Sequence, residues 1–326
     1  MNIVSKFFLW TRRAIKPTHI VGLIMLAALW GFRHWNPPPL QTLQLKTFDF
    51  YQTLQPRKSK ELPIPVTIID VDEASLEKYG QWPWPRTLLG QLTDRLRESG
   101  VGVIGFDVFF PEYDRMSPAL VAENLHGLDD NLATQLKALP TTESVLANSL
   151  RKMRVVLGQG TLLESTDFGG SFPLKAKVAL MGNRDRILKR IPRFPGILRN
   201  VPELESAALG LGMVALEPEI DGVIRRVNMA LRVGEEVYPT MTLEMMRLAL
   251  GQENLLFRLD ENAQTQSIRI RGLKQIGTPE IPTDERFRTW IHFRPHDLET
   301  MYVSAADVLD GKADPERLQN ALALIG

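Results

Sequence analysis

Residues 66–72 read VTIIDVD, an apolar, β-branched run closed by two aspartates. Such a run predicts a buried strand. Residues 86–99 (RTLLGQLTDRLRES) place leucines on one helical face and predict an amphipathic helix, which Gly100 can end. Residues 101–110 (VGVIGFDVFF) predict a second buried strand. A helix between two strands predicts a βαβ unit, in which neighbouring parallel strands are joined by a right-handed crossover.

The rest of the chain extends this unit to an α/β fold with a mixed, largely parallel sheet flanked by helices. Residues 155–158 predict a third strand, and residues 159–200 predict a long loop region. Residues 212–216 and 223–233 predict a hairpin around the turn Asp221-Gly222. The final residues, 324–326, read as the start of a strand, so we expect the C-terminal end of the domain to be truncated.

The N-terminus predicts a membrane anchor. Six basic residues precede Asp49, the first acidic residue: Lys6, Arg12, Arg13, Lys16, Arg33 and Lys46. Residues 17–32 contain no Asp, Glu, Lys or Arg. We expect residues 1–16 to be a cytoplasmic basic segment, 17–35 a transmembrane signal anchor, 36–54 a stalk and 55–326 an extracytoplasmic domain. A cleaved signal peptide and a buried core helix are the alternatives.

Composition excludes several classes of chemistry. The chain has no cysteine, which rules out disulfides and thiol nucleophiles, and its net charge of +1 gives no reason to expect nucleic acid. No nucleophile or phosphate-loop motif is present. Glycines at 210 and 212 match a dinucleotide fingerprint but follow a helix, and Pro295 separates His292 from His296. The sequence therefore predicts no catalytic residue, cofactor or metal.

Three aspartates follow the predicted strands and form the first candidate ligand site. Asp70 and Asp72 lie at the end of one strand, and Asp107 could face them from its neighbour. Ligands of open α/β sheets bind at this edge. The three carboxylates could hold a hard cation or a cationic ligand. Alternatively, they cap loops and helices or pair with Arg86.

Two further strings contribute candidate ligand contacts. Residues 80–86 (GQWPWPR) hold Trp82 and Trp84 between prolines ahead of Arg86, a combination suited to ligand or partner contact. A packed lid over the βαβ unit is the alternative. Asp221 and Arg225 lie in the string DGVIRR, where an arginine could reach inward to a carboxylate; a solvated hairpin is the alternative.

These strings together resemble the second type of CHASE domain, the cyclase/histidine-kinase-associated sensory extracellular domain. The resemblance spans residues 48–326 and rests mainly on residues 82–86 (WPWPR), 103–110 (VIGFDVFF) and 221–226 (DGVIRR). It implies an extracytoplasmic sensor behind a first transmembrane helix. Such receptors usually continue into further transmembrane helices and a cyclase or kinase output. The family supplies no catalytic residues to carry over.

The leading functional hypothesis is a sensor for a small-molecule or protein signal, placed outside the bacterial inner membrane. It would form part of an adenylate or guanylate cyclase or a sensor kinase. A homodimer through the stalk and the transmembrane helix is expected. One rival is a periplasmic metal-dependent hydrolase that uses Asp70, Asp72 and Asp107. The other is a structural periplasmic interaction module.

Overall fold

A computed structural model describes residues 16–55, 65–164, 174–259, 266–270, 280–293 and 301–326. The chain divides into two compact units. The first, which we call the N-terminal unit, comprises residues 1–58 and 218–223. The second, which we call the α/β unit, comprises residues 59–217 and 224–326.

The bounds of the elements are as follows. The helices are α1 (Pro17–Trp35), α2 (Pro38–Leu54), α3 (Glu73–Tyr79), α4 (Arg86–Glu98), α5 (Pro118–Asn124), α6 (Asp130–Lys137), α7 (Thr142–Arg151), α8 (Arg184–Arg190), α9 (Pro202–Ala207), α10 (Met241–Ala249), α11 (Ala305–Asp310) and α12 (Pro315–Leu318). The strands are β1 (Val66–Asp70), β2 (Val103–Phe106), β3 (Val155–Leu162), β4 (Lys177–Met181), β5 (Arg193–Phe194), β6 (Gly196–Leu198), β7 (Gly210–Val214), β8 (Arg226–Asn228), β9 (Ala230–Val233), β10 (Glu236–Pro239), β11 (Asn254–Leu259), β12 (Gln266–Ile270), β13 (Glu280–Thr283), β14 (Arg288–Trp290), β15 (Tyr302–Ser304) and β16 (Leu322–Ile325).

The N-terminal unit contains the helices α1 and α2. Asn36, in the left-handed conformation, ends α1, and Pro37 stands at the start of α2. Most of the predicted stalk, residues 36–54, is helical as α2, while its role as a stalk stays a prediction. Residues 17–35 form the expected helix, but its ends carry His19, Arg33 and His34. Within the described ranges, no helix combines the length and apolar character needed to cross a membrane, so the predicted transmembrane helix is not found.

A mainly parallel sheet forms the centre of the α/β unit. Its strand order is β15-β1-β16-β2-β3, with both β6 and β7 paired to β3. Every pair is parallel except β3 with β6. This sheet confirms the predicted mixed, largely parallel α/β architecture. Its carboxyl edge therefore collects the loops that follow β1 and β2, with Gly326 at the end of β16 between them.

The amphipathic helix α4 packs into the largest hydrophobic core of this unit. Leu89, Leu92 and Leu96, spaced three and four residues apart, are fully buried. They belong to one cluster with Ile104 of β2 and Leu146 of α7. Burying each leucine contributes about 1.5–3 kcal/mol relative to exposure. The predicted helix is therefore fixed beside the sheet, with its first residue, Arg86, at the carboxyl edge.

Two topological predictions are wrong. The first and second predicted strands are not neighbours, because β16 lies between them and pairs in parallel with β1 and β2. The predicted hairpin around Asp221-Gly222 does not form either: β7 pairs with β3, and β8 pairs with β14. Gly212 of β7 faces α10 so closely that a Cβ atom would lie 2.3 Å from the Met241 Cα. That close packing holds β7 in the central sheet.

Residues 159–200 are more ordered than predicted. They contain the end of β3, then β4, α8, β5 and β6, with residues 165–173 outside the described part. The strand β4 joins β11, β12 and β13 in a second sheet. Its core includes Phe257 and Phe287, whose ring centroids are 5.7 Å apart. Residues 159–200 are ordered because their strands pair with strands that are distant in sequence. A local sequence pattern does not reveal such pairing.

Candidate ligand-binding site

Two cavities lie beside the carboxyl edge of the central sheet. The smaller has a volume of about 350 Å³ and is lined by Val71, Leu76, Trp82, Asp107, Val108, Phe109 and Gly326. The larger, which we call the Arg86 cavity, has a volume of about 460 Å³. It is lined by Trp82, Pro83, Trp84, Arg86, Val108, Phe109, Pro111, Glu112, Tyr113, Asp114, Arg115 and Met116. Both volumes fall in the range of small-molecule sites.

Asp72 is a helix cap. Its carboxylate accepts a hydrogen bond from the Ser75 backbone N–H at 2.9 Å and another from the Ser304 hydroxyl at 2.9 Å. Burial alone would raise the pKa of Asp72, but these hydrogen bonds outweigh it and lower the pKa below its ordinary value. The carboxylate thus joins α3 to the start of α11, as the capping alternative predicted.

Asp70 has the opposite electrostatic character. It is half-buried at the end of β1. Burial, together with the negative charge of Asp72, raises the pKa of Asp70 above its ordinary value. Asp70 does not line either cavity. It is therefore a carboxylate whose ionisation the fold disfavours, and it remains a candidate contact only by prediction.

Asp107 lies apart from the first two aspartates in the sheet order. It follows β2, and β16 separates β2 from β1, so the expected face-to-face arrangement of the three carboxylates is wrong. Asp107 is exposed and lines the smaller cavity. Among the described residues, no group of three side chains could hold a metal ion, and His296 lies outside them. The three-carboxylate metal site that the rival hydrolase hypothesis requires is not present among the described residues.

The two tryptophans play different parts. Trp84 is buried, with 1% of its surface exposed, and its Nε1 donates to the Gly80 carbonyl at 2.8 Å. Trp82 is 38% exposed, lies 6.1 Å from Trp84 between ring centroids, and lines both cavities. Trp84 is therefore part of the core, as the packed-lid alternative predicted, while the Trp82 ring stays partly exposed in both cavities.

Arg86 lines the larger cavity from the first turn of α4. Its guanidinium carbon lies 4.5 Å from the centroid of the Phe110 ring, a cation–π contact. Its Nε is buried, and its side chain makes no hydrogen bond or ion pair with any described residue. Burial lowers the pKa of this guanidinium, and the charges of Asp114 and Glu143 oppose the shift. The alternative in which these aspartates pair with Arg86 is therefore wrong among the described residues, whereas the capping alternative holds for Asp72.

The loop after β2 carries residues that sequence reasoning missed. The Asp114 carboxylate accepts from the backbone N–H groups of Arg86 at 2.8 Å and Met116 at 2.9 Å. The buried Glu143 carboxylate accepts in turn from the Asp114 backbone N–H. This network holds the loop against the start of α4. No spacing rule connects Glu143 with Asp114; the only signal was an acidic residue beside Thr142 at the start of a helix.

Asn200 fixes the other end of the same loop. Its side chain accepts from the Phe110 N–H at 2.7 Å and donates to the Gly158 carbonyl at 2.9 Å. The Val201 N–H also donates to the Phe110 carbonyl at 2.7 Å. Phe110 is fully buried, so the ring under Arg86 is held rigidly.

The remaining candidates, Asp221 and Arg225, belong to different units. Asp221 lies in the N-terminal unit, in a turn where its carboxylate accepts from the Val223 N–H at 3.3 Å and Gly222 has a φ of +81°. Arg225 lies in the α/β unit and is 3% exposed. Neither residue lines the two cavities at the sheet edge.

The fold and cavities define an α/β domain with a small-molecule-sized site at the carboxyl edge of a parallel sheet. Comparison with protein families matches the CHASE2 domain over residues 21–326. The chain belongs to the CHASE2 domain family. These domains are sensors of signalling receptors and are not catalytic. Comparisons with curated proteins and with solved structures gave no match.

Proposed function

We propose that this chain is the sensing part of a membrane-bound bacterial receptor, with residues 1–16 in the cytoplasm and residues 55–326 outside. The match to an extracytoplasmic sensor family over nearly the whole chain carries the proposal. The basic residues before residue 17 support this orientation by the positive-inside rule. Exposed apolar side chains along α1, among them Leu23, Ile24 and Leu26, support membrane attachment at residues 17–35.

The output of the receptor is proposed from the family alone. Sensors of this family are coupled to cyclases or kinases, and we propose an adenylate or guanylate cyclase or a sensor kinase. The ligand site is proposed at the carboxyl edge of the sheet, where Trp82 lines both cavities. A ligand can drive such a receptor only if it binds two conformations with unequal affinity.

Labelling of single cysteines tests the orientation. The chain has no cysteine of its own, so each introduced thiol reports one position without background. Leu163, which is 88% exposed in the α/β unit, is the outside probe, and Ser5 is the cytoplasmic probe. In intact spheroplasts, a membrane-impermeant maleimide should label Leu163→Cys at once and Ser5→Cys only after lysis. The reverse pattern would overturn the proposed topology.

A further inference from the structure

The Arg86 cavity has an unsatisfied cation. An arginine can donate five hydrogen bonds, and the Arg86 side chain donates none to the described part of the chain. A partly buried polar group without partners costs free energy, and charged groups cost more. The Phe110 ring, 4.5 Å from the guanidinium carbon, supports the group without supplying an acceptor.

The buried acidic groups near this arginine are already engaged. Asp114 accepts from two backbone N–H groups, of Arg86 and Met116. Glu143 accepts from the Asp114 N–H and from the Thr142 hydroxyl. The other charged lining residues, Glu112 and Arg115, are exposed and of opposite sign. Among the described residues, the cavity therefore offers the Arg86 side chain no anionic hydrogen-bond acceptor.

The remaining walls are apolar. Trp82, Val108, Phe109 and Met116 line the cavity, and Met116 is 61% exposed. Ligand sites typically combine such walls with a few polar groups that fix orientation. A ligand that satisfies both parts has one anionic end and an apolar body.

We propose that the Arg86 cavity binds a small monocarboxylate, with its carboxylate on the Arg86 guanidinium and its apolar or aromatic body against Trp82. A planar carboxylate matches the two-pronged donor geometry of arginine. A phosphate dianion fits less well, because Glu112 and Asp114 line the same cavity and repel the second charge. The proposal rests on the proposed sensor function, since it names the chemical class of the signal.

Calorimetric titration of the detergent-solubilised full chain tests this assignment. The probes are phenylacetate and hexanoate, with phenylacetamide, inorganic phosphate and choline as comparators. We expect both carboxylates to bind about tenfold or more tightly than any comparator, because only they pair with Arg86 without excess charge. Failure of both carboxylates to bind, or tighter binding of choline, would overturn the proposal.

Substitutions in the chain test whether the carboxylate of the ligand binds to Arg86. Arg86→Met removes the charge but keeps a long side chain on Phe110, and should weaken phenylacetate binding about tenfold or more. The matched control, Arg95→Gln, removes an exposed arginine of the same helix that does not line the cavity, and should change binding by about twofold or less. If Arg95→Gln weakened binding as much as Arg86→Met, or if Arg86→Met left binding unchanged, the assignment of Arg86 would be wrong.

A second pair of variants does not depend on replacing a partly buried residue. Met116 is exposed on the cavity wall, so Met116→Glu and Met116→Lys should both fold. Glutamate should weaken phenylacetate binding and lysine should strengthen it, each by a few-fold at low salt. Equal affinities in the two variants would contradict binding of an anion in this cavity. Cysteine labelling tests the receptor topology, and it does not depend on these titrations. The carboxylate proposal can therefore fail while the proposed topology holds, and the two failures can be told apart.

Discussion

At the residue scale, two aspartates that are close in sequence have opposite effects on stability. The fold raises the pKa of Asp70 through burial and the charge of Asp72. It lowers the pKa of Asp72, because hydrogen bonds from Ser75 and Ser304 outweigh burial. A raised pKa in the folded state means that ionised Asp70 destabilises the fold above its ordinary pKa of 3.8. A lowered pKa means that ionised Asp72 stabilises the fold above 3.8.

Replacing each aspartate should therefore shift stability in opposite directions. At about pH 7, Asp70→Asn should raise the free energy of unfolding, and Asp72→Ala should lower it by about 1 kcal/mol, the cost of a lost N-cap. Urea denaturation at about pH 7, about pH 4 and about pH 3 measures both effects. The gain from Asp70→Asn should shrink as the pH falls toward 3.8, whereas the loss from Asp72→Ala should begin to shrink only below 3.8. Destabilisation by Asp70→Asn at neutral pH would contradict this account.

At the element scale, the loop from Phe110 to Met116 joins the sheet to the Arg86 cavity. Asn200 ties its first residue to β3 through Gly158, and Asp114 ties its last turn to the start of α4. Between these two ties, the loop carries Phe110, whose buried ring lies against Arg86. Its hydrogen bonds therefore connect the stability of the sheet edge with the geometry of the cavity.

Asn200→Ala should lower both the stability of the protein and its affinity for phenylacetate. It removes the hydrogen bonds to the Gly158 carbonyl and to the buried Phe110 N–H, at a cost of roughly 2–4 kcal/mol in unfolding free energy. Phenylacetate affinity should fall as well, because the ring under Arg86 loses its restraint. Chemical denaturation and calorimetric titration measure the two effects. Asn148→Ala, an exposed control on α7, should change unfolding free energy by less than about 0.5 kcal/mol; equal losses in the two variants would refute the role of Asn200.

The elements also show what the sequence could reveal. The leucine spacing of α4 and the apolar run of β1 were readable because each element's pattern is local. The insertion of β16 between β1 and β2 could not be predicted in this way. Backbone pairing between strands more than 200 residues apart does not depend on the composition of either strand. The same limit applies to the cavity: Trp82 and Arg86 were identified from their string, whereas Asn200 and Glu143 reach the loop only through tertiary contacts.

At the scale of the whole molecule, the proposed receptor would pass its signal through α2, the proposed stalk. The stalk helix α2 exposes Leu43, Phe50 and Leu54, which are 61%, 60% and 59% accessible. Spacings of seven and eleven residues place them on one helical face. An exposed apolar stripe on a helix suits packing against a second copy, so we propose that two chains pair along this face in the membrane.

Cross-linking of single cysteines should detect this pairing. In membranes containing the full chain, Leu43→Cys and Phe50→Cys should form disulfide-linked dimers under mild oxidation, because equivalent positions on a two-fold helix pair face each other. Gln44→Cys is the matched control: it is exposed on the same helix but lies about 100° around it. Its cross-linking should be much weaker. Equal cross-linking at residues 43 and 44 would indicate random collision, and no cross-linking at residues 43 and 50 would place the stalks apart. Repeating the reaction with bound phenylacetate then shows whether the ligand changes the pairing, which a sensor that signals through its stalk requires.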